Sequence, residues 1–283
     1  MKIKKWVCAI LILQCLLLML LYWCVDTLTT DSRAPKIQIE PGMLQLSVTD
    51  PESALLQGVT ATDNTDGDVT DSLVVERVTL KDSDGTVTVC YAAFDAAGNV
   101  AKAERELRYT DYHSPRFTLS EPLILDSGYY ADLRAVLRAE DAVDGDISHR
   151  IHMDNLTGSS ATVVGTFQVR LWVTNSLGDR AQLDLPVEVC ASGTYNAWLE
   201  LTDYLIYLPV GAEFDPANWL LRCSAGGVTE DLTDELPENC DLQITGQVDS
   251  QTPGVYEVRY LLSWNRDGRK LTGYTKLMVV VEG

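Results

Sequence analysis

DNTDGDVT at positions 63–70 and DAVDGDIS at 141–148 are two versions of one short acidic stretch, each set between strand-like runs. About twenty residues after each comes a Gly-led alternating strand, closed by a Gly turn. Gly85 is followed by Gly98 and Gly165 by Gly178, thirteen positions on, and Gly254 by Gly268 after fourteen. Recurrence at a fixed interval is the mark of repeated supersecondary units. The chain therefore reads as three like β-modules, and any function must lie on their faces and ends.

Outward from these turns, the alternation has a period of two. TVTVCYAAFD sets Val87, Val89 and Tyr91 on one face, TFQVRLWVTN sets Phe167, Val169 and Leu171 in the same places, and VYEVRY does so with Tyr256, Val258 and Tyr260. EDLTDEL at 230–236 lines up with GDVTDSL at 67–73, and Asp95, Asn175 and Asn265 precede equivalent turns, where a short polar side chain can fix the bend. A strand with one apolar face must bury it, and six or seven short strands per unit of roughly 75–90 residues suit two packed antiparallel sheets. The expected fold is all-β, with three tandem Ig-like β-sandwich domains after an N-terminal transmembrane helix. Their expected bounds are 35–112, 113–192 and 193–283. The junctions TDYHSP and ASGT are short, so neighbouring modules are expected to abut end to end.

The run at 6–25 is apolar apart from Gln14. As a helix it would reach about 30 Å, the thickness of a bilayer's hydrocarbon. Lys2, Lys4 and Lys5 precede it and Asp26 and Asp31 follow, a bias that keeps the start in the cytoplasm. The expectation is a stub and anchor over 1–25, a tether over 26–34, and the rest outside the cell membrane. A cleaved signal peptide is the rival, but no small-x-small site closes the run.

The chain carries 22 basic and 41 acidic side chains, a net charge of −19. With the three leading lysines set aside, 19 basic against 41 acidic side chains leave −22 beyond the apolar run. Such a field repels nucleic acid, so no nucleic-acid partner is expected, and it favours cations or basic partners. The seven cysteines do not form a dense disulfide scaffold; only Cys223 and Cys240, seventeen apart, invite a bridge.

ATDNTDGDVT with FDAAGN in the first module, DAVDGDIS with VGTFQVRLWV in the second, and TPGVYEVRY in the third resemble the immunoglobulin-like repeats of bacterial cell-surface proteins. The same family is found as accessory domains in an insecticidal crystal toxin. The resemblance covers 35–283 and implies an extracellular β-sandwich acting as spacer or adhesive module, without catalysis. It is incomplete: DSDG replaces the Pro-Gly turn in the first copy, TNSLGD replaces the AGN turn in the second, and DGD is missing from the third.

Two kinds of chemistry can be read into the acidic turns. Asp63, Asp66 and Asp68, and likewise Asp141, Asp144 and Asp146, crowd hard oxygens that suit Ca²⁺. A helix-loop-helix calcium loop is excluded, because its twelfth position is Val74 or His152 rather than Glu. The plainer reading is structural: Asp side chains accept nearby backbone N–H groups, and the Gly between them takes the special backbone angle. No cofactor is expected beyond such an ion. The three histidines, His113, His149 and His152, have neither zinc spacing nor a nucleophile beside them, and no GxSxG occurs, so no enzyme is expected. Trp198, Tyr204, Tyr207, Phe214 and Trp219 cluster at the start of the third module. They are either core or a platform for a surface glycan or envelope protein. The reading is a non-catalytic stalk or adhesion module on a bacterial surface. A glycan- or protein-binding receptor using the third module is the alternative, and a cell-envelope enzyme the remote one.

Overall fold

A computed structural model describes residues 2–29, 31–128, 133–155, 163–233, 236–266 and 268–283. Strand alternation becomes burial directly: Val59–Asp63 and Leu137–Asp141 each bury every other residue, as period-two side chains on a half-covered sheet must.

One plan is laid down three times. In the first module the strands Lys36–Ile39, Val59–Asp63 and Gly67–Asp68 form a three-stranded sheet, and Leu44–Leu46, Val100–Tyr109, Thr86–Phe94 and Val74–Asp82 form a four-stranded one, in that order. The second pairs Arg116–Leu119, Leu137–Asp141 and Gly145–Asp146, and separately His152–Asn155, Gly165–Thr174, Arg180–Cys190 and Ile124–Asp126. The third does the same with Trp198–Leu201, Leu220–Ala225 and Val228–Asp231, and with Leu205–Pro209, Arg269–Glu282, Gly254–Arg266 and Cys240–Thr245. In every copy a short early strand pairs parallel with the closing strand, while the other ladders are antiparallel.

The inward faces are those the repeat picks out. Val87, Val89 and Tyr91 are fully buried, Phe167, Val169 and Leu171 nearly so, and Val258 and Tyr260 fully so. Two buried tyrosines use their hydroxyls alike. Tyr91 Oη donates to Leu55 O at 2.8 Å and Tyr260 Oη to Pro216 O at 2.9 Å, each acceptor in a short 3-10 turn across the sandwich. Burying such a phenol requires this partner.

The chain divides into two compact units, Met1–Thr110 and Asp111–Gly283. In the second, the modules do more than abut. One apolar core runs from Phe117 through Phe167 and Val187 to Tyr260 and Val280. Polar contacts reinforce it: Arg116 binds Glu282 bidentately at 3.1 and 2.6 Å, the Phe117 N–H donates to Tyr207 Oη at 2.8 Å, and Tyr274 Oη donates to Glu188 Oε2 at 2.7 Å. The buried Lys276 ammonium donates to Pro186 O at 2.8 Å and Glu257 Oε2 at 3.2 Å.

The expected transmembrane helix is corrected. The apolar run does lie in a helix, Lys2–Thr29, but among the described residues no helix is long and apolar enough to cross a membrane.

Candidate cation site and the repeated acidic turns

The acidic turns are built alike in the first two modules. Asp63 Oδ1 accepts the N–H groups of Thr65 and Asp66 at 2.7 and 3.1 Å, and Asp141 Oδ1 accepts those of Val143 and Asp144 at 2.9 Å each. Gly67 and Gly145 follow with φ of 78° and 68°, a region that costs a residue with a Cβ. Asp68 then accepts the Thr70 N–H and Asp146 the Ser148 N–H, both at 2.9 Å. Those hydroxyl and backbone donors hold both carboxyls below the usual range. The third module keeps only this last part: Asp231 Oδ1 accepts the Thr233 N–H at 3.1 Å, after a tight turn through Gly226 and Gly227.

The middle aspartates reach across to the opposite turn. Asp66 Oδ2 accepts the Ala96 N–H at 2.8 Å. Asp144 does the same for Ser176 at 2.8 Å, takes its hydroxyl at 2.6 Å, and pairs with Arg150 at 2.6 Å. Burial pushes the Asp144 carboxyl up, but Ser176 and Arg150 outweigh it and leave it below the usual range. Asp66, Asp68, Asp144 and Asp146 are thus each turned onto protein donors.

Asp63 is different, because its second oxygen has no donor and its carboxylate lies beside two others. Among the described residues one group of three carboxylates could share a metal ion: Asp31, Asp63 and Asp95, with ligand oxygens within 4.8 Å of one another. Asp63 and Asp95 are buried, at 9% and 8% exposure. Asp95 Oδ1 accepts the Asn99 N–H and Oδ2 the Asn99 amide, both at 2.7 Å. That amide also faces Asp31 O at 3.1 Å and Arg33 O at 3.3 Å, which sets the leading segment against the turn. Asp63 Oδ2 is buried and finds no donor.

The second module answers the same need differently. Asn175 occupies the place of Asp95, its Oδ1 accepting the Asp179 N–H at 2.9 Å, and its amide donates to Asp141 Oδ2 at 2.9 Å and Tyr112 Oη at 3.0 Å. Tyr112 Oη in turn donates to Asp179 at 2.6 Å; burial and that bond push its pKa far up. Asn265 does not repeat the role, since it is exposed and ladders with Lys270 inside the long hairpin of the third module.

The aromatic residues of the third module are divided. Tyr204 is buried in the core, Phe214 and Trp219 pack against it, and Tyr207 holds the Phe117 N–H beneath the Arg116 guanidinium. Trp198 is 56% exposed and lines a cleft of about 210 Å³ with Ile124, Asp126, Tyr195 and Tyr274, the last two stacked at 5.1 Å. Cys223 and Cys240 are both thiols; burial, with Cys223 and Asp241 beside it, pushes Cys240 up to about 11. His152 stacks on Trp172 at 5.2 Å.

No family model and no curated protein matches the chain. Among solved structures it is similar to Drosophila N-cadherin EC1-4, with 13% identity over 90% of this chain and 76% of that one, at a TM-score of 0.24. Mouse cadherin-23 EC22-24 gives 12% identity over 89% and 99%, at 0.20, and the protocadherin GammaB4 extracellular domain 11% over 88% and 50%, at 0.19. Likeness this distant carries no argument about fold or function.

Proposed function

We propose that the chain is a non-catalytic spacer or adhesion module displayed outside the cell, made of three tandem Ig-like sandwiches. One observation carries the reading: a single seven-strand plan occurs three times, and Asp63, Asp141 and Asp231 of its acidic turns each hold a backbone N–H of their own turn. The resemblance of the turn and strand motifs to bacterial surface repeats supports the same reading, and the net charge of −19 suits a surface kept in solution.

Pulled from its two ends, the chain should yield in at least two discrete steps. Each module contributes about 27–32 nm, from roughly 75–90 residues at about 3.6 Å apiece. Beads coated with it should adhere to one another or to a target surface in proportion to coverage if the modules are adhesive, and should hold a terminal tag at a fixed reach if they are spacers. A chain that extends without discrete steps and beads that neither adhere nor hold the tag would refute the reading. Recognition of a glycan or neighbouring protein by the third module is the second reading, and Trp198 beside its aromatic cleft favours it. Trp198→Ala would then abolish adhesion while leaving the unfolding steps in place.

A further inference from the structure

We infer that Asp31, Asp63 and Asp95 bind one hard divalent cation of the calcium class, which fastens the segment preceding the first module to the two turns at that end of it. Their oxygens lie within 4.8 Å of one another. Oxygens sharing one Ca²⁺ stand no farther apart than twice the metal–oxygen distance, about 4.6–5.2 Å. The three groups therefore fit around a single ion.

The second observation is independent of the clustering. Asp63 is 9% exposed, and its Oδ2 is buried without a hydrogen-bond donor. A buried carboxylate oxygen left in this way is costly, and native structures supply it with a donor or an ion. Asp95 cannot help, being a carboxylate whose two oxygens are already turned to Asn99. Asp31 adds a third negative charge rather than a donor.

The second module is an internal control. With the same turn and the same Oδ1 bonds, it has Asn175 in place of Asp95, and the Asn175 amide donates to Asp141 Oδ2 at 2.9 Å. One N–H group satisfies there what remains open here. Changing that residue from amide to carboxylate removes the donor and adds a ligand, which is the change a cation site requires. Hard carboxylate oxygens select calcium or magnesium over softer metals. A site in which two of the acids come from turns and one from a leading segment is adaptable enough for the larger ion. The ion would also explain why the Asn99 amide holds the carbonyls of Asp31 and Arg33, since this contact brings the Asp31 carboxylate to the others. The inference stands whether the modules act as spacers or as receptors.

The test is calcium binding by the full chain, stripped with chelator and titrated with CaCl2 and, separately, MgCl2. One Ca²⁺ per chain at this site is expected, with a Kd of about 10⁻⁴–10⁻³ M, the range of extracellular modules. Asp95→Asn should weaken binding at least tenfold and leave a chain whose melting temperature no longer moves with calcium, because the new amide can serve Asp63 Oδ2 as Asn175 serves Asp141. Asp31→Asn lies outside the strands, so it reports on the site even if Asp95→Asn fails to fold; it too should weaken binding at least tenfold. Absence of calcium binding by the unaltered chain at on the order of 10 mM would overturn the site. So would binding that Asp31→Asn leaves intact, and magnesium binding as tight as calcium would overturn the choice of ion.

Discussion

Lys276 is the point at which the joined core of the second and third modules can be tested hardest. Its side chain is 1% exposed and its ammonium bridges a carbonyl of one module, Pro186 O, and a carboxylate of the other, Glu257. Burial draws its pKa down, and the Glu257 carboxylate opposes that shift. Lys276→Met keeps the volume and removes the donor. A buried carbonyl without a partner costs about 1–3 kcal/mol, and a buried ion left alone costs about 3–5 kcal/mol. Glu257 keeps Arg259 beside it, so the second figure applies only in part. The expected loss is about 2–4 kcal/mol, read as a lower urea midpoint at unchanged slope for the full chain. Adding Glu257→Gln to Lys276→Met should restore about 1–2 kcal/mol, since the second change removes a half-buried charge that the first left short of one partner. A Lys276→Met chain within about 0.5 kcal/mol of the parent would mean that Lys276 behaves as a surface lysine and does not join the two modules.

Further outcomes follow from the turns and the core. Tyr260→Phe should cost about 0.5–1.5 kcal/mol in urea unfolding and Tyr91→Phe less, because Leu55 O keeps the Arg105 guanidinium at 2.8 Å. Asp144→Ala should destabilise more than Asp66→Ala in the same assay, roughly 2–3 against about 1 kcal/mol, since Asp144 also holds Arg150 and the Ser176 hydroxyl. Leu185→Ala, at a fully buried site, should cost about 2–5 kcal/mol in the same assay. In acid, Asp68, Asp84, Asp146 and Asp231, all held below 3.8 by hydrogen bonds to folded partners, contribute stability that is present above pH 3.8. It is lost as pH falls through their folded values, so the melting temperature should drop on acidification below that point and change little above it on their account.

The repeated strands could be read because period-two alternation is a local property: Val87, Val89 and Tyr91 announce a buried face without reference to anything distant. The Asx turns at Asp63 and Asp141 were readable for the same reason, as their bonds run two or three residues along the chain. Asp31 and Asp95 could not be joined to Asp63 in this way. They lie 32 residues to either side of it, and only the sandwich, with Asn99 clasping the leading segment, brings them together. The one signal was the contrast between Asp95 and Asn175 at equivalent turns, which matters only once Asp141 is known to face the amide. The joined core of the last two modules was likewise hidden, since short junctions suggest end-to-end contact; Lys276 inside KLMVVV was the clue, a cation in a strand otherwise buried. Hydrophobicity alone misjudged the first helix, where the run of apolar residues promised a membrane span that the described residues do not provide.

Amide hydrogen exchange across the full chain tests most directly the claim that three two-sheet sandwiches seal their inner faces. Slow exchange is expected at the central strands Thr86–Phe94, Gly165–Thr174 and Gly254–Arg266, with the last two losing protection together because their modules share a core. Rapid exchange in any of these strands, or independent loss of protection in the second and third modules, would contradict it.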